Sequence, residues 1–166
     1  MEYWDILDCN RVKTGRLVKR GDPMSPDDYH LVVHVWIRNS NGEFLISKRT
    51  MNKTFPGMWE TTGGSAVAGD GSLKTALKET NEEIGLKLNA NNGILLYQFR
   101  RRKNDFSDFL DVWLFIIEKI EISKLLFQKD EVSDAMWATK SEIRALIADG
   151  RFVNEFTYLN NLFEKY

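Results

Sequence analysis

Continuous apolar runs predict most of the strands in this chain. The runs at 30–38 and 43–49 are rich in β-branched and aromatic residues, and the Asn-Gly pair between them is a strong local signal for a β-hairpin. Two longer runs at 93–102 and 108–120 are separated by a short polar segment and predict a second pair of strands. The centre of the chain is therefore expected to build a sheet from paired strands.

The regions on either side of this centre carry weaker signals. Residues 1–9 predict a short strand or an edge hairpin, 10–16 are typical of a turn, and 20–29 contain the Gly, Pro and Asp residues of an irregular loop. Residues 131–139 predict one further short strand. We interpret residues 1–28 as an N-terminal extension of the domain that follows.

Helical spacing of apolar residues occurs in three segments. Between 72 and 86 apolar side chains recur every three or four residues, and Ser72 is the predicted N-cap. The sequence Thr-Lys-Ser-Glu at 139–142 is a capping-box pattern that opens a helix ending at Gly150, and 153–166 predicts a last amphipathic helix. Strands combined with helices in this order predict an α/β (α+β) fold, an α/β/α sandwich around a mixed β-sheet.

Composition narrows the class of protein. A chain of 166 residues with 43% hydrophobic content is expected to form one domain over 1–166. Its 23 Lys and Arg residues nearly balance its 24 Asp and Glu residues, so no specific nucleic-acid partner is expected. The single cysteine, Cys9, fits a cytoplasmic protein, and no apolar stretch is long enough to predict a membrane partner. A homodimer formed through the N-terminal segment is left open.

The candidate chemistry is a cluster of three carboxylates on the first predicted helix. At about 100° per residue, Glu79, Glu82 and Glu83 project from one strip of its surface, where like charges repel each other. Solvent is one remedy for this repulsion. The other is a hard divalent cation, Mg²⁺ or Mn²⁺, which takes oxygen ligands and leaves positions for phosphate oxygens.

Glycines bound this helix on both sides. Gly63 and Gly64 permit a close approach of the main chain to a ligand, and Gly85 can end the helix in a left-handed conformation. A short rigid element between two such turns is a suitable platform for metal ligands, which favours the cation as the remedy.

The stretch from Gly64 to Leu86 resembles the box of the Nudix family, written Gx5Ex7REUxEExGU with U an aliphatic residue. All spacings of the pattern are kept, and three positions depart from it, with Asp70 for Glu, Lys78 for Arg and Thr80 for an aliphatic residue. The resemblance implies the Nudix fold and Mg²⁺- or Mn²⁺-dependent hydrolysis of a small-molecule diphosphate, such as a compound linked to a nucleoside diphosphate.

The resemblance also implies roles for individual residues. Glu79, Glu82 and Glu83 become the catalytic residues and metal ligands, although which of them acts as general base is left open. Arg49, Gly63, Gly64 and Lys78 are the residues predicted to bind substrate. We further hypothesise that a contact between Lys78 and Asp70 replaces the usual Arg–Glu contact and that activity is retained but lowered.

Two alternatives to hydrolysis stay open. Residues 3–145 resemble a Nudix subgroup related to isopentenyl diphosphate isomerase, but Gly63 and Ser65 stand where that enzyme has its cysteine and histidine, so isomerisation is disfavoured. The other alternative is a catalytically silent module that senses a nucleotide, and the three glutamates argue against it.

A few other residues are weaker candidates for the same site. His30 and His34 face the same side of a predicted strand and could flank a pocket. Asp111 or Glu131 could supply a further acid to the metal shell.

Overall fold

The computed structural model describes residues 2–102, 107–153 and 156–166. The short polar segment predicted to join two strands after residue 102 lies largely outside these residues. The strands of the described part are β1 (Tyr3–Leu7), β2 (Lys13–Lys19), β3 (Tyr29–Asn39), β4 (Phe44–Arg49), β5 (Trp59–Glu60), β6 (Thr62–Ser65), β7 (Gly93–Arg102), β8 (Ser107–Ile117) and β9 (Val132–Ala138). The α-helices are α1 (Ser72–Ile84), α2 (Lys140–Ala148) and α3 (Leu159–Lys165).

Strand β3 is the centre of a mixed sheet. It runs parallel to β8 along its whole length, from the pair Tyr29↔Ser107 to the pair Asn39↔Ile117. It pairs antiparallel with β1, β4 and β6, and β4 in turn pairs with β5 and β9. Parallel and antiparallel pairs therefore meet on one strand, and the predicted mixed sheet is confirmed.

Helices cover both faces of this sheet. On one face Val33 and Val35 of β3 pack in a buried cluster with Ala76 and Ile84 of α1. On the other face Trp36 packs with residues of α2 and α3, and its ring centroid lies 5.9 Å from that of Phe163. Alternate residues of one strand thus feed two cores, as the pleat of a strand requires. The predicted α/β/α layering is confirmed.

Several predicted boundaries are corrected. The segment at 10–16 is not only a turn, because β2 begins at Lys13 and pairs antiparallel with β1. Most of β2 is exposed, so the strand lacks the apolar alternation by which a sequence predicts one. The last helix begins at Leu159 and not near 153.

The ends of α1 were predicted only in part. Its N-cap is Gly71, which has no capping side chain, while the hydroxyl of Ser72 accepts a hydrogen bond of 2.8 Å from Trp113 Nε1. Gly85 ends the helix with a φ of 69°, which confirms the predicted left-handed C-cap. The capping box of Thr139 and Glu142 on α2 is also confirmed.

Candidate active site

A cavity of about 340 Å³ opens where β6, the loop after β4 and helix α1 meet. Its charged lining residues are the acids Glu2, Glu60, Glu79, Glu82, Glu83 and Glu131 and the cations Arg20, Arg49, Lys53 and Arg101. Six acids against four cations leave an excess of two negative charges in a partly enclosed space. Such an excess favours the binding of a cation.

Helix α1 brings the three predicted glutamates to this cavity. Its apolar stripe fixes the rotation of the helix, since Ala76 and Ile84 are buried against the sheet. Thr80, which departs from the aliphatic residue of the Nudix pattern, is also buried, and its hydroxyl donates a 2.8 Å hydrogen bond to the carbonyl of Ala76. The departure at position 80 is therefore accommodated without an unpaired polar group.

Glu79 lies directly against the glycine turn. A Cβ atom at position 64 would come 2.5 Å from Glu79 Oε2, so only glycine leaves room for this carboxylate. Burial, and next the charge of Glu82, raise the pKa of Glu79 to about 7. The close packing of Gly64 and Glu79 was not predicted, although both residues were.

Glu83 is the most deeply buried acid of the cluster. Within the described part of the chain its Oε2 atom is buried and has no hydrogen-bond partner. Burial and the neighbouring charges of Glu60 and Glu79 raise the pKa of Glu83 well above its ordinary value. A buried carboxylate oxygen without a donor is costly, and the cost is removed by a proton or by a bound cation.

This donor set fits a hard divalent cation in an open site. In the described ranges, no three Asp, Glu, His or Cys side chains converge closely enough to enclose a metal ion. Mg²⁺ seldom uses such a cage, because it usually keeps several waters and binds one or two carboxylates together with substrate phosphates. The unpartnered oxygen of Glu83 and the carboxylate of Glu79 are suited to that mode of binding.

Of the residues predicted to bind substrate, Arg49, Gly63 and Gly64 line the cavity. Arg49 is already engaged, since its Nη1 lies 2.7 and 2.6 Å from the two carboxylate oxygens of Glu60. A side chain at Gly63 would overlap the carbonyl oxygen of Val33 on the neighbouring strand. Arg49 therefore holds Glu60 in place, and the glycines let the main chain pass close to the cavity.

The predicted role of Lys78 in substrate binding stays a prediction. Lys78 is not among the residues that line the cavity, and its Nζ lies 3.9 Å from Glu82 Oε1 on the side of the helix. The hypothesised contact with Asp70 is wrong, because Asp70 pairs with Lys74 at 2.6 Å. Lys74 is one helical turn closer to Asp70 than Lys78 is, and this i,i+4 spacing lets Lys74 form the ion pair with Asp70.

Of the four weaker candidates, two line the cavity and two do not. His34 lines the cavity, with its Nδ1 2.7 Å from the hydroxyl of Tyr158, whereas His30 is buried and stacks on Trp4. Glu131 lines the cavity and forms an ion pair with Lys53. Asp111 lies outside the cavity, where Arg11 binds its carboxylate.

The sequence reasoning missed four charged lining residues, Lys53, Glu60, Glu2 and Arg20. Glu2 and Arg20 are the two that lie far from α1 in the chain. They belong to the ends of the β1–β2 hairpin, where the Arg20 amide donates a 3.0 Å hydrogen bond to the Glu2 carbonyl. No periodicity in the sequence joins this hairpin to α1. The pairing of β1 with β3 and the hydrogen bonds from Ala68 and Gly69, in the loop before α1, to β1 bring the two together.

Comparison with known proteins decides the family. A family model described as NUDIX domain matches residues 28–156. The chain belongs to the NUDIX family. As a Nudix hydrolase, it is an enzyme that acts on diphosphate bonds. The predicted family is therefore confirmed, while the resemblance to the isomerase subgroup stays a prediction.

Relatives of this Nudix hydrolase match it over nearly its whole length. An uncharacterized Nudix hydrolase of Listeria monocytogenes is 37% identical over 165 residues, which are 98% of this chain and 94% of that protein. The crystal structure of DR0079 from Deinococcus radiodurans has a TM-score of 0.75 at 22% identity and covers 99% of this chain and 98% of its own. That likeness shows a shared fold.

A third comparison comes from a larger protein. A bifunctional NMN adenylyltransferase/ADP ribose pyrophosphatase from Francisella tularensis, complexed with AMP and a Mn ion, has a TM-score of 0.65 at 15% identity. The match covers 87% of this chain and 43% of that one.

Among the described residues, no helix combines the length and the apolar character that crossing a membrane requires.

Proposed function

We propose that this Nudix hydrolase cleaves the diphosphate bond of a small molecule linked to a nucleoside diphosphate, with Mg²⁺ or Mn²⁺ as cofactor. The observation that carries the proposal is the buried oxygen of Glu83, which has no hydrogen-bond partner among the described residues and belongs to a residue lining a cavity with a formal excess of acids. An enzyme that only needed a stable fold would gain from replacing such an acid with an apolar residue.

Glu79, Glu82 and Glu83 are the residues that would supply carboxylate ligands, one or two at a time, with water and substrate phosphates completing the shell of the cation. When bound, a divalent cation neutralises phosphate charge and makes a water molecule a stronger nucleophile at neutral pH. The carboxylates supply hard oxygen ligands, and α1 fixes their spacing along one strip of its surface. Gly64 keeps the main chain of β6 close to Glu79, so that a diphosphate can lie between the strand and the helix.

Glu79 is suited to accept the proton of the attacking water. In the metal-free protein its pKa is about 7, and a carboxylate of this cluster that the cation leaves free can act as general base. Arg49 and Lys53 balance the neighbouring acids Glu60 and Glu131 through direct ion pairs. This leaves the glutamates of α1 as the acids that carry the uncompensated charge.

The walls of the cavity support a nucleoside as the group attached to the diphosphate. Phe55 and Phe156 line the cavity and offer aromatic surface to a base. Its volume lies in the usual range for small-molecule sites. The Francisella tularensis structure, 43% of which matches this chain, is complexed with AMP and a Mn ion, which is in keeping with this class of ligand.

Location and partners belong to the same proposal. We expect a cytoplasmic enzyme that binds a small-molecule diphosphate and has no nucleic-acid partner, because its net charge of −1 provides no general attraction for phosphate polymers. A homodimer stays a prediction.

The proposal is tested with a panel of nucleoside diphosphate sugars, dinucleoside polyphosphates, nucleoside triphosphates and prenyl diphosphates. We expect release of phosphorylated products from a nucleoside diphosphate derivative with Mg²⁺ or Mn²⁺, and none with EDTA. The Glu83→Gln variant serves as the matched inactive control, since it keeps the size of the side chain. Equal rates with metal and with EDTA, or turnover of prenyl diphosphates alone, would contradict the proposal.

A further inference from the structure

The four cations of the cavity differ in how firmly their acidic partners hold them. Arg101 donates to both carboxylate oxygens of Asp108, which is completely buried. The Arg49–Glu60 pair is nearly enclosed, with side chains 16% and 17% exposed, and the Lys53–Glu131 pair is partly buried. The pair Arg20–Glu2, at 2.8 Å, is the open one, with side chains 56% and 47% exposed.

This difference decides which cation a substrate can recruit. Breaking a buried ion pair leaves an uncompensated charge in a poorly solvated place, which is strongly unfavourable. An exposed pair contributes little, because water solvates either partner when the pair opens. A phosphate group that enters the cavity therefore displaces Glu2 from Arg20 at far lower cost than it displaces Glu60, Asp108 or Glu131 from their partners.

Arg20 is also held in a defined place. The β1–β2 hairpin is fastened to the loop before α1 by two hydrogen bonds, from the amide of Ala68 to the carbonyl of Tyr3 at 2.7 Å and from the amide of Gly69 to Asp5 Oδ2 at 2.8 Å. On its other side, Arg11 in the turn of the hairpin binds Asp111 of β8. The guanidinium thus projects from a rigid support and not from a loose terminus.

Arg20 lines the same cavity as the acids of α1. The charges of both Arg20 and Glu2 act on Glu79, and the charge of Lys78 acts on Glu2. A guanidinium can bind two phosphate oxygens at once, which suits it to a diphosphate held at neighbouring carboxylates.

We infer that Arg20 and Glu2 form an exchangeable phosphate subsite of this enzyme. Glu2 holds the guanidinium in the absence of ligand, and a phosphate of the substrate takes the place of Glu2 when it binds. The inference rests on the proposed function for the identity of the substrate. It assigns phosphate recognition to a hairpin outside residues 28–156, the segment that the family model matches.

The two members of the pair have opposite expected effects. Arg20→Gln removes the phosphate donor, so we expect pyrophosphate to bind about tenfold more weakly. Glu2→Gln removes the competitor for the guanidinium, so binding should become tighter. Arg20→Lys keeps the charge without the two-pronged geometry and should lie between the wild type and Arg20→Gln.

The experiment is titration calorimetry of inorganic pyrophosphate into the full chain at fixed Mg²⁺, with salt varied. Arg16→Gln is the matched control, because Arg16 lies on the same hairpin with its side chain 58% exposed but pairs with Asp28 outside the cavity. Its pyrophosphate affinity should equal that of the wild type.

The outcomes separate this inference from the proposed function. Opposite shifts for Arg20→Gln and Glu2→Gln support the subsite even where no diphosphate is hydrolysed. Equal affinities for these two variants, or a wild-type protein that does not bind pyrophosphate, overturn the subsite even where hydrolysis is observed. A shift of the same size in Arg16→Gln also overturns it, since the effect would then be one of overall charge.

Discussion

Two groups of buried acids in this enzyme are treated in opposite ways. On β8, Asp108 and Asp111 are fully buried, and each is bound by a guanidinium, from Arg101 and Arg11 respectively. On α1, Glu79 and Glu83 are largely buried, and no arginine binds either of them within the described residues. Arginines of the chain neutralise the acids of β8, whereas the acids of α1 would be neutralised by a bound cation.

The comparison teaches how to tell a structural acid from a functional one. Burial alone does not distinguish them, and neither does the residue type. The distinction lies in the partner, because a carboxylate that the fold fully pairs has no capacity left for a metal ion. Asp111, a candidate metal ligand by its sequence position, is on these grounds a structural residue.

The largest expected effect comes from making Glu83 neutral. Glu83→Gln should lower turnover by about 100-fold or more, the usual scale for loss of an acid-base or metal-binding carboxylate. The same change should raise the thermal stability of the metal-free protein at pH values above the raised pKa of Glu83, where the native carboxylate is a buried charge without a partner. Turnover and melting temperature are measured on one preparation with EDTA and with Mg²⁺. A fall in both quantities would place Glu83 with the structural acids.

Removing the partner of a structural acid should act on stability. Among the described residues, Arg11→Ala leaves Asp111 buried with the side-chain amide of Gln98 as its one remaining donor, so we expect the free energy of unfolding to fall by about 3 kcal/mol. The measurement is urea unfolding. The matched control is Arg102→Ala, whose partner Asp27 is exposed, and it should change stability by less than about 0.5 kcal/mol. Equal losses in the two variants would remove the distinction between buried and exposed pairs.

The two groups of acids should also respond differently to pH. Glu79 has a folded-state pKa of about 7, above its unfolded value, so the folded protein holds a proton that the unfolded chain has lost. Metal-free stability should therefore fall as pH rises from about 5 to 7, by at most about 1.4 kcal/mol per pH unit for this group. Acids whose pKa is lowered in the folded state, such as Glu142, change the stability of the protein only at pH values below this range.

Thermal melts at several pH values, with EDTA, measure this slope. In Glu79→Gln the fall should be smaller, and the difference between the two proteins isolates the contribution of Glu79 from that of the histidines. Added Mg²⁺ should reverse the fall, because metal binding favours the deprotonated carboxylate. An identical slope in both proteins would show that Glu79 titrates normally.

The smallest expected effect tests the contact between the glycine turn and the functional acids. Gly64→Ala places a methyl group 2.5 Å from Glu79 Oε2, so the carboxylate must move and turnover should fall by about tenfold. Gly71→Ala is the control, because a Cβ atom there meets open space. Steady-state kinetics compare the two variants, and equal rates would mean that the position of Glu79 is not critical.

Much of the site could be predicted because α1 is a local structure. The helical period places Glu79, Glu82 and Glu83 on one strip, and the glycines around the helix mark its limits before any tertiary contact is known. The errors have a common cause. Strand β2 is exposed and has no apolar alternation, and Lys74 competes with Lys78 for Asp70 within one turn of helix.

The sequence by itself determined the central strands, the three helices, the carboxylate strip and the family, since each depends on residues close together in the chain. The tertiary structure decided which charges meet. Arg11 and Asp111 are 100 residues apart, and Arg20 reaches the cavity because β1 pairs with β3 and is hydrogen-bonded to the loop before α1. The periodicity of the sequence does not predict ion pairs between distant residues. Such pairs depend on how the whole sheet packs and on how far each pair is exposed to water.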